Sequence, residues 1–426
     1  MEPRAQVARP LGRARAVLVG VCLRPWERPE MEEHLHELKL LAETAGATVV
    51  DRLVQDRGAT NPATLIRRGK VEELTLLARE HGANLAVFDE DLSPAQVRNL
   101  ERELQIRILD RSALILDIFA RRARSREART QVELAQMRYM LPRLTRQWGH
   151  LSRQDGGIGQ RGEGETQLEI DRRLVRHRID RLARDLERIE MERRERRKSR
   201  AGIPRVALIG YTNAGKSTVM NLLTGAGALV ENRLFATLDS LVRRCERGGR
   251  EPFLLIDTVG FIRKLPHHLI ASFRSTLEEA ADADLLLHIA DASSPALDDH
   301  LKTTRATVEQ LGLADRPCLL VFNKIDQVGD TALRRLRSDY AGAVFVSALD
   351  PSHADDLEKA VRQALVVRPD TAPLDVPTGG SFAPAHPGRG SRRHRGGVAG
   401  GGRSRRGNGR PASRRAGERA GGGRAS

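Results

Sequence analysis

Aromatic residues are scarce in this chain of 426 residues, at 3%. Its cores must therefore be filled by Leu, Val, Ile and Ala, within an apolar content of 40%. Cysteine is scarcer still. Cys22, Cys245 and Cys318 are odd in number and far apart, which excludes a disulfide framework and the close spacings of a zinc site and points to a reducing cytoplasm. No apolar run approaches the ~20 residues of a membrane-spanning helix. The basic residues 1–15 lead into an apolar stretch, residues 17–23, that is too short for a secretory signal. A monomeric cytoplasmic protein with no membrane span is the expectation.

Acidic charge is what two segments have little of. The net charge is +16, and it is unevenly spread. Residues 121–200 carry 23 Lys and Arg against 13 Asp and Glu, and residues 371–426 carry 12 Arg against 2 acids. The rest of the chain is slightly acidic. Concentrated positive charge favours polyanions, nucleic acid above all, although a solvated helix face and a solubilising tail would give the same counts.

The length suggests two or three domains. Residues 11–115 alternate strand-like runs (16–22, 48–54, 84–88, 106–109) with helical patterns (30–45, 71–81, and one starting at Ser93-Pro94), which predicts a small N-terminal α/β domain with a largely parallel sheet. Residues 116–200 differ in texture. Residues 118–141 contain no Gly or Pro and read as one helix. Leu168, Val175, Leu182 and Ile189 recur every seventh residue, with Ile179 and Leu186 between them and Arg172 and Arg193 at the ends of the seam. That is a short coiled-coil stripe. Between these helices lies Gly156-Gly157-Ile158-Gly159-Gln160-Arg161-Gly162-Glu163-Gly164, too rich in glycine to be helical. An antiparallel helical hairpin with a Gly-rich tip loop follows. The loop is longer than a connector requires and, with Arg153 and Arg161, reads as a reaching element. Residues 201–370 return to the α/β pattern. Residues 371–426 hold 15 Gly and 12 Arg and read as a disordered tail.

The chemistry lies in residues 201–370. Residues 206–209 form a strand-like run, followed at once by Gly210-Tyr211-Thr212-Asn213-Ala214-Gly215-Lys216-Ser217 and a helical pattern. This is a phosphate loop in its strand–loop–helix setting. Its glycines let backbone N–H groups surround phosphates, Lys216 reaches the β- and γ-phosphates, and Ser217 ligates Mg²⁺. A buried strand then ends in Asp257-Thr258-Val259-Gly260, where Asp257 holds Mg²⁺ through water and the Gly260 N–H meets the γ-phosphate. Asn323-Lys324-Ile325-Asp326 ends a further strand. The Asp326 carboxylate can accept the N1–H and amino group of guanine, donors that adenine lacks. Ser347-Ala348-Leu349 offers a backbone N–H to guanine O6. Four motifs in this order make GTP and GDP the expected ligands. Thr237, within Phe235-Ala236-Thr237-Leu238-Asp239, is the expected Mg²⁺ ligand from a mobile switch segment, in preference to Thr224. Lys216, Thr237 and Gly260 are the expected catalytic groups.

One catalytic residue is missing. Ras-like GTPases place Gln directly after the DxxG motif to orient the attacking water, and here that residue is Phe261. Slow intrinsic turnover, stimulated by a partner, is the reading that follows. Asn213 in the phosphate loop could offer an oxygen ligand to K⁺, a second candidate cation beside Mg²⁺.

These residues resemble the HflX family of translational GTPases over most of residues 48–365. The resemblance rests on Asn61-Pro62-Ala63-Thr64, Gly69-Lys70-Val71-Glu72-Glu73-Leu74 and Phe88-Asp89-Glu90-Asp91-Leu92-Ser93-Pro94, and most of all on the glycine tip with Glu165-Thr166-Gln167-Leu168-Glu169. Phe235 to Asp239 and Asp257 to Ile262 add to it. It implies a cytosolic GTPase that binds the large ribosomal subunit and its RNA and splits stalled or idle ribosomes, the hairpin tip reaching toward the peptidyl-transferase region. Ser240-Leu241-Val242 departs from the family's usual Pro-Thr-Thr in the switch. The residues also admit a GTPase of ribosome assembly or RNA modification, and a nucleotide-switched RNA-binding protein without significant turnover.

Overall fold

A computed structural model describes residues 14–24, 28–56, 60–144, 167–198, 202–225, 234–235, 237–246, 251–264 and 281–366. The glycine tip and the Gly/Arg tail lie outside these residues. Among the described residues no helix is long and apolar enough to cross a membrane.

The chain opens with a parallel sheet of order β2-β1-β3-β4, built from β1 (Arg15–Cys22), β2 (Thr48–Asp56), β3 (Leu85–Phe88) and β4 (Arg107–Asp110). β1 is buried along nearly its whole length, as a central parallel strand covered on both faces must be. Helices α1 (Arg28–Thr44) and α4 (Arg111–Arg122) share a core with one face, and α2 (Arg68–Glu80) and α3 (Pro94–Leu104) share a core with the other. The start of α3 follows from its sequence. The Ser93 Oγ accepts the Gln96 N–H, the Gln96 side chain accepts the Ser93 N–H, and Pro94 takes the first turn.

The continuous helix expected over residues 118–141 is two helices. α4 ends at Arg122, Ala123 is extended, and α5 (Arg126–Met140) starts afresh with Ser125 as its N-cap. Burial explains the break. Leu114, Ile115, Ile118 and Phe119 of α4 pack beneath the first sheet with α1, while α5 sets Ala128, Val132 and Ala135 against the same core and gives Leu134 and Met137 to α6 (Gln167–Lys198). The α5–α6 pair is antiparallel: Glu133 bridges Arg178 at 2.6 Å, and the Leu144 carbonyl, just beyond the end of α5, accepts from Arg172, earlier in α6, at 3.2 Å. Leu134, Met137 and Leu182 form its small core, flanked by Val175, Ile179 and Leu186 of the expected stripe.

A second sheet, order β10-β9-β8-β5-β7-β6, follows. It comprises β5 (Arg205–Ile209), β6 (Leu241–Cys245), β7 (Phe253–Asp257), β8 (Leu285–Asp291), β9 (Cys318–Asn323) and β10 (Val344–Phe345). Only β6 runs antiparallel. Helices α7 (Lys216–Thr224), α8 (Leu297–Gln310), α9 (Asp330–Asp339) and α10 (Ala354–Val366) belong to this half. Leu241, in the segment that departs from the usual switch pattern, begins β6 and packs on the core beside Val206 and Leu255. The core between α1, α4 and the first sheet does not stop at that sheet. It continues through Phe235, Leu238, Val259 and Ile262, so the loops beside β5 and β7 are packed against the first half of the chain.

Candidate functional site

The phosphate loop leaves the central strand β5 and enters α7. Gly210 (φ 143°) and Gly215 (φ 93°) cannot be replaced: a Cβ would stand 2.2 Å from the Ile289 carbonyl oxygen and 2.2 Å from the Asn323 Nδ2, respectively. The Lys216 ammonium curls into the loop and donates to the carbonyls of Gly210 (3.2 Å) and Tyr211 (2.9 Å). Burial pushes Lys216 down to about 8, with the Asp257 carboxylate working against the shift. A cavity of about 640 Å³ opens above the loop. Thr212, Asn213, Gly215, Lys216, Ser217 and Thr218 line one end, and Lys324, Asp326, Ser347, Ala348 and Leu349 line the other.

Three oxygen-bearing side chains converge at the phosphate end. Ser217 Oγ lies 2.9 Å from Thr237 Oγ1, and both hydroxyls bond Asp257 Oδ2, at 2.5 and 3.1 Å. Asp257 Oδ1 is buried without a hydrogen-bond partner. Burial raises the Asp257 carboxyl above its usual range, and Lys216 opposes this. A set of hard oxygens with one acceptor unsatisfied fits Mg²⁺. Thr224, the rejected alternative, bonds the Met220 carbonyl at the end of α7.

At the other end Asn323 is a brace. Its Nδ2 donates to the Ala214 carbonyl and its Oδ1 accepts the Ala348 N–H, both at 2.9 Å. The Ala348 N–H, one of those that Ser347-Ala348-Leu349 could offer to guanine O6, is given to Asn323 here. The Ser347 hydroxyl donates to Asp326 Oδ1 at 2.6 Å and so orients the carboxylate. Lys324 holds a left-handed backbone (φ 63°) and pairs with Asp291 at 2.6 Å.

Other expected site residues surround the cavity without lining it. Leu238 and Val259 are buried in the core shared with α1 and α4, and Ile325 packs behind β9. Tyr211 turns its hydroxyl away from the cavity. That hydroxyl donates to Glu37 of α1 and accepts the Arg263 N–H at 2.9 Å, and the ring stacks on His300. Asp239 turns to α5. Ala236 lies outside the described residues. Phe235 does line the cavity, and its N–H donates to the Thr212 hydroxyl at 3.0 Å. Thr258 lines it too and donates to the Leu208 carbonyl. A Cβ on Gly260 would meet Thr212 Cα at 2.6 Å and Lys216 Nζ at 2.9 Å. The Phe261 ring is buried with Ile209 and Leu286, while its backbone N–H and carbonyl bond Gly210 and Thr212. Its side chain therefore serves the core, and nothing at that position faces the cavity.

Several contributors escape a sequence reading. Thr218, Asn221 and Gln327 line the cavity next to motif residues. Glu37, Asp89 and Arg111 make a buried ionic cluster behind it, joined at its edge by the half-buried Arg263 and the exposed Lys264. Arg111 pairs with Glu37 and Asp89, and Lys264 reaches Asp89 and Glu90, each at 2.6 Å. No local pattern marks these residues, because their partners are far apart in the chain.

With this geometry in view, comparison with known proteins is specific. Residues 32–120 match a family described as GTP-binding GTPase N-terminal, residues 122–200 the GTP-binding GTPase middle region, and residues 205–324 the 50S ribosome-binding GTPases. A GTPase HflX of Caldanaerobacter subterraneus is 47% identical over 82% of this chain and 80% of its own. The chain belongs to the HflX family of GTPases. The HflX of Flavobacterium psychrophilum is 48% identical over 82% of this chain and 90% of its own, and that of Escherichia coli 44% over 78% and 79%. A crystal structure of SsGBP with GDP aligns at 24% identity and a TM-score of 0.48, over 83% of this chain and 98% of that one. The HflX match spans the N-terminal α/β part, the helical middle region and the P-loop GTPase part alike.

Proposed function

We propose that this HflX-family chain binds GTP with its phosphates over Lys216 and its base at Asp326, hydrolyses it slowly alone, and is stimulated by the large ribosomal subunit, splitting or rescuing stalled ribosomes. The observation that carries the nucleotide reading is the convergence of Ser217, Thr237 and Asp257, with Asp257 Oδ1 left unsatisfied, beside a buried Lys216. These three residues would hold Mg²⁺, Asp257 through water. The ion supplies positive charge against the phosphates as charge develops in transfer. A polyphosphate beside Lys216 would restore the full charge that burial weakens. Thr237 and Gly260 then order the γ-phosphate end, and Phe261 offers no group to orient water. The 50S-binding family match and the basic residues 121–200 support a ribosomal partner. The division that goes with this reading is 11–115, 116–200, 201–370 and 371–426, with α4 crossing the first boundary.

The test is GTP turnover with and without purified large subunits, joined to sucrose-gradient profiles with a non-hydrolysable GTP analogue. Stimulated turnover and loss of intact ribosomes are expected. Turnover indifferent to subunits would favour assembly or RNA-modification work, and no turnover at all would favour a nucleotide-switched RNA binder. Deleting residues 156–164 should leave GTP affinity intact and abolish splitting; unchanged splitting would reduce the tip to a connector. Asn213 lines the cavity, and its side-chain oxygen would be the ligand to K⁺ as a further cation. Faster turnover in K⁺ than in Na⁺ at equal ionic strength, lost in Asn213→Ala, is the expected result.

A further inference from the structure

Asp239 stands two residues beyond Thr237, yet its carboxylate serves a different element. It accepts the Arg124 N–H at 3.0 Å, the Ser125 N–H at 3.2 Å and the Ser125 hydroxyl. That hydroxyl also caps α5 by accepting the Ala128 N–H at 3.0 Å. The carboxylate thus sits where backbone N–H groups and the helix dipole favour negative charge. The neighbouring switch residues reinforce the tie. The Phe235 ring packs edge-on against Phe119 of α4 with centroids 4.7 Å apart, and Leu238 is buried in the core that holds Ala128 and Val132 of α5. Two residues span at most about 7 Å, so Thr237 and Asp239 cannot move independently over larger distances.

We propose that Ser125 and Asp239 form a clasp that joins the Thr237 switch to the N-cap of α5 and passes stimulation of hydrolysis from the helix pair to that switch. Thr237 leaves Ser217 only by drawing on α5, and an α5–α6 pair held from outside holds Thr237 at Ser217. Coupling of this kind is reciprocal: the nucleotide state biases the helix pair as much as the helix pair biases the switch. The identity of the outside partner rests on the ribosomal reading above, and the clasp itself does not.

The test uses the full chain with Ser125→Asp, which keeps an N-capping side chain but sets a carboxylate against Asp239, and Ser125→Thr, which keeps both bonds. Hydrogen exchange of the first-turn amides of α5 is read with GDP and with a non-hydrolysable GTP analogue. The parent and Ser125→Thr should exchange about tenfold more slowly with the analogue, and Ser125→Asp should lose that difference while its nucleotide affinity stays within about twofold. Large-subunit stimulation should fall about tenfold in Ser125→Asp with the intrinsic rate unchanged. Ser125→Ala, which loses the hydroxyl without adding charge, should fall between parent and Ser125→Asp. A parent whose α5 exchange ignores the nucleotide, or a Ser125→Asp protein that behaves like the parent in both assays, overturns the clasp. A parent that shows the exchange difference but no stimulation by large subunits sinks the ribosomal reading and leaves the clasp standing.

Discussion

At the scale of single residues, the site depends on polar side chains that hold one another in place. Ser347 orients Asp326, and Asn323 ties the phosphate loop to the Ser347-Ala348 turn. Asp326→Asn is expected to weaken GTP binding by roughly 100-fold, since a carboxylate accepting two donors is replaced by an amide that cannot accept both. Xanthine nucleotides should gain in the same variant, because their 2-oxo group suits an amide donor. Equal GTP affinity in parent and variant, measured by titration with a fluorescent analogue, would remove Asp326 from base reading. Thr237 illustrates what was legible at this scale. Its place between two motifs marked it out, and it lies beside Ser217, while Thr224 is spent on its own helix.

At the scale of elements, periodicity identified the α6 stripe, and burial decided how α4 and α5 divide. Residues 118–141 contain no helix breaker, so local propensity gave no reason to stop at Arg122. Ser125 carries an N-cap signal, but such signals also occur inside helices, and the elbow is marked by contacts from far along the chain: Phe119 against Phe235, and Asp239 on the Arg124 and Ser125 N–H groups. The α5–α6 core is small, so single side chains matter within it. Leu182, 4% exposed against Leu134 and Met137, is its most accessible test. Leu182→Ala should cost about 2–3 kcal/mol of local stability through lost burial and a residual void. Hydrogen exchange should show faster opening of α5 and α6 with nucleotide affinity unchanged. Unaltered protection would mean the pair is held by something other than this core.

At the scale of the whole molecule, an ionic cluster behind the cavity joins α1, α4 and the loop after β3 to the loop after β7. Arg111, 1% exposed, pairs with Glu37 and Asp89, and burial raises the Asp89 carboxyl while Lys264 opposes the rise. Arg111→Met leaves two buried carboxylates short of a cation and should destabilise by about 3 kcal/mol, read as a lowered urea midpoint. A shift worth less than about 1 kcal/mol would show that water or Lys264 takes over the pairing. His34 lies in the same cluster, near Glu30 and Asp89, and burial followed by the charges of Lys264, Arg263 and Arg111 pushes it down to about 3. Its folded value is below that of a free imidazole near 6.5, so the unfolded chain binds the extra proton between about 3 and 6.5. Stability from this group is full above pH 6.5 and is lost as the pH falls through that window. His34→Gln should flatten the acid side of the stability profile by up to about 1.4 kcal/mol per pH unit relative to the parent. The buried carboxylates act with the opposite sign, but they are common to both proteins. Parallel profiles would place His34 in water.

The sequence by itself determined the nucleotide chemistry. Phosphate loop, DxxG, Asn-Lys-x-Asp and Ser-Ala-Leu are short stretches whose backbone and side chains act on a ligand locally, at the ends of strands that apolar runs reveal. It also determined the largely parallel first sheet, because strand-like runs that alternate with helical patterns call for crossover connections. Tertiary structure alone decided which atoms were already spent: the Ala348 N–H on Asn323, the Tyr211 hydroxyl on Glu37, and the Asp239 carboxylate on Ser125. Those pairs join residues 25, 174 and 114 positions apart. A hydrogen bond depends on angstroms between atoms, and no spacing along a chain encodes that distance until the two sheets and the α4–α5 elbow have packed.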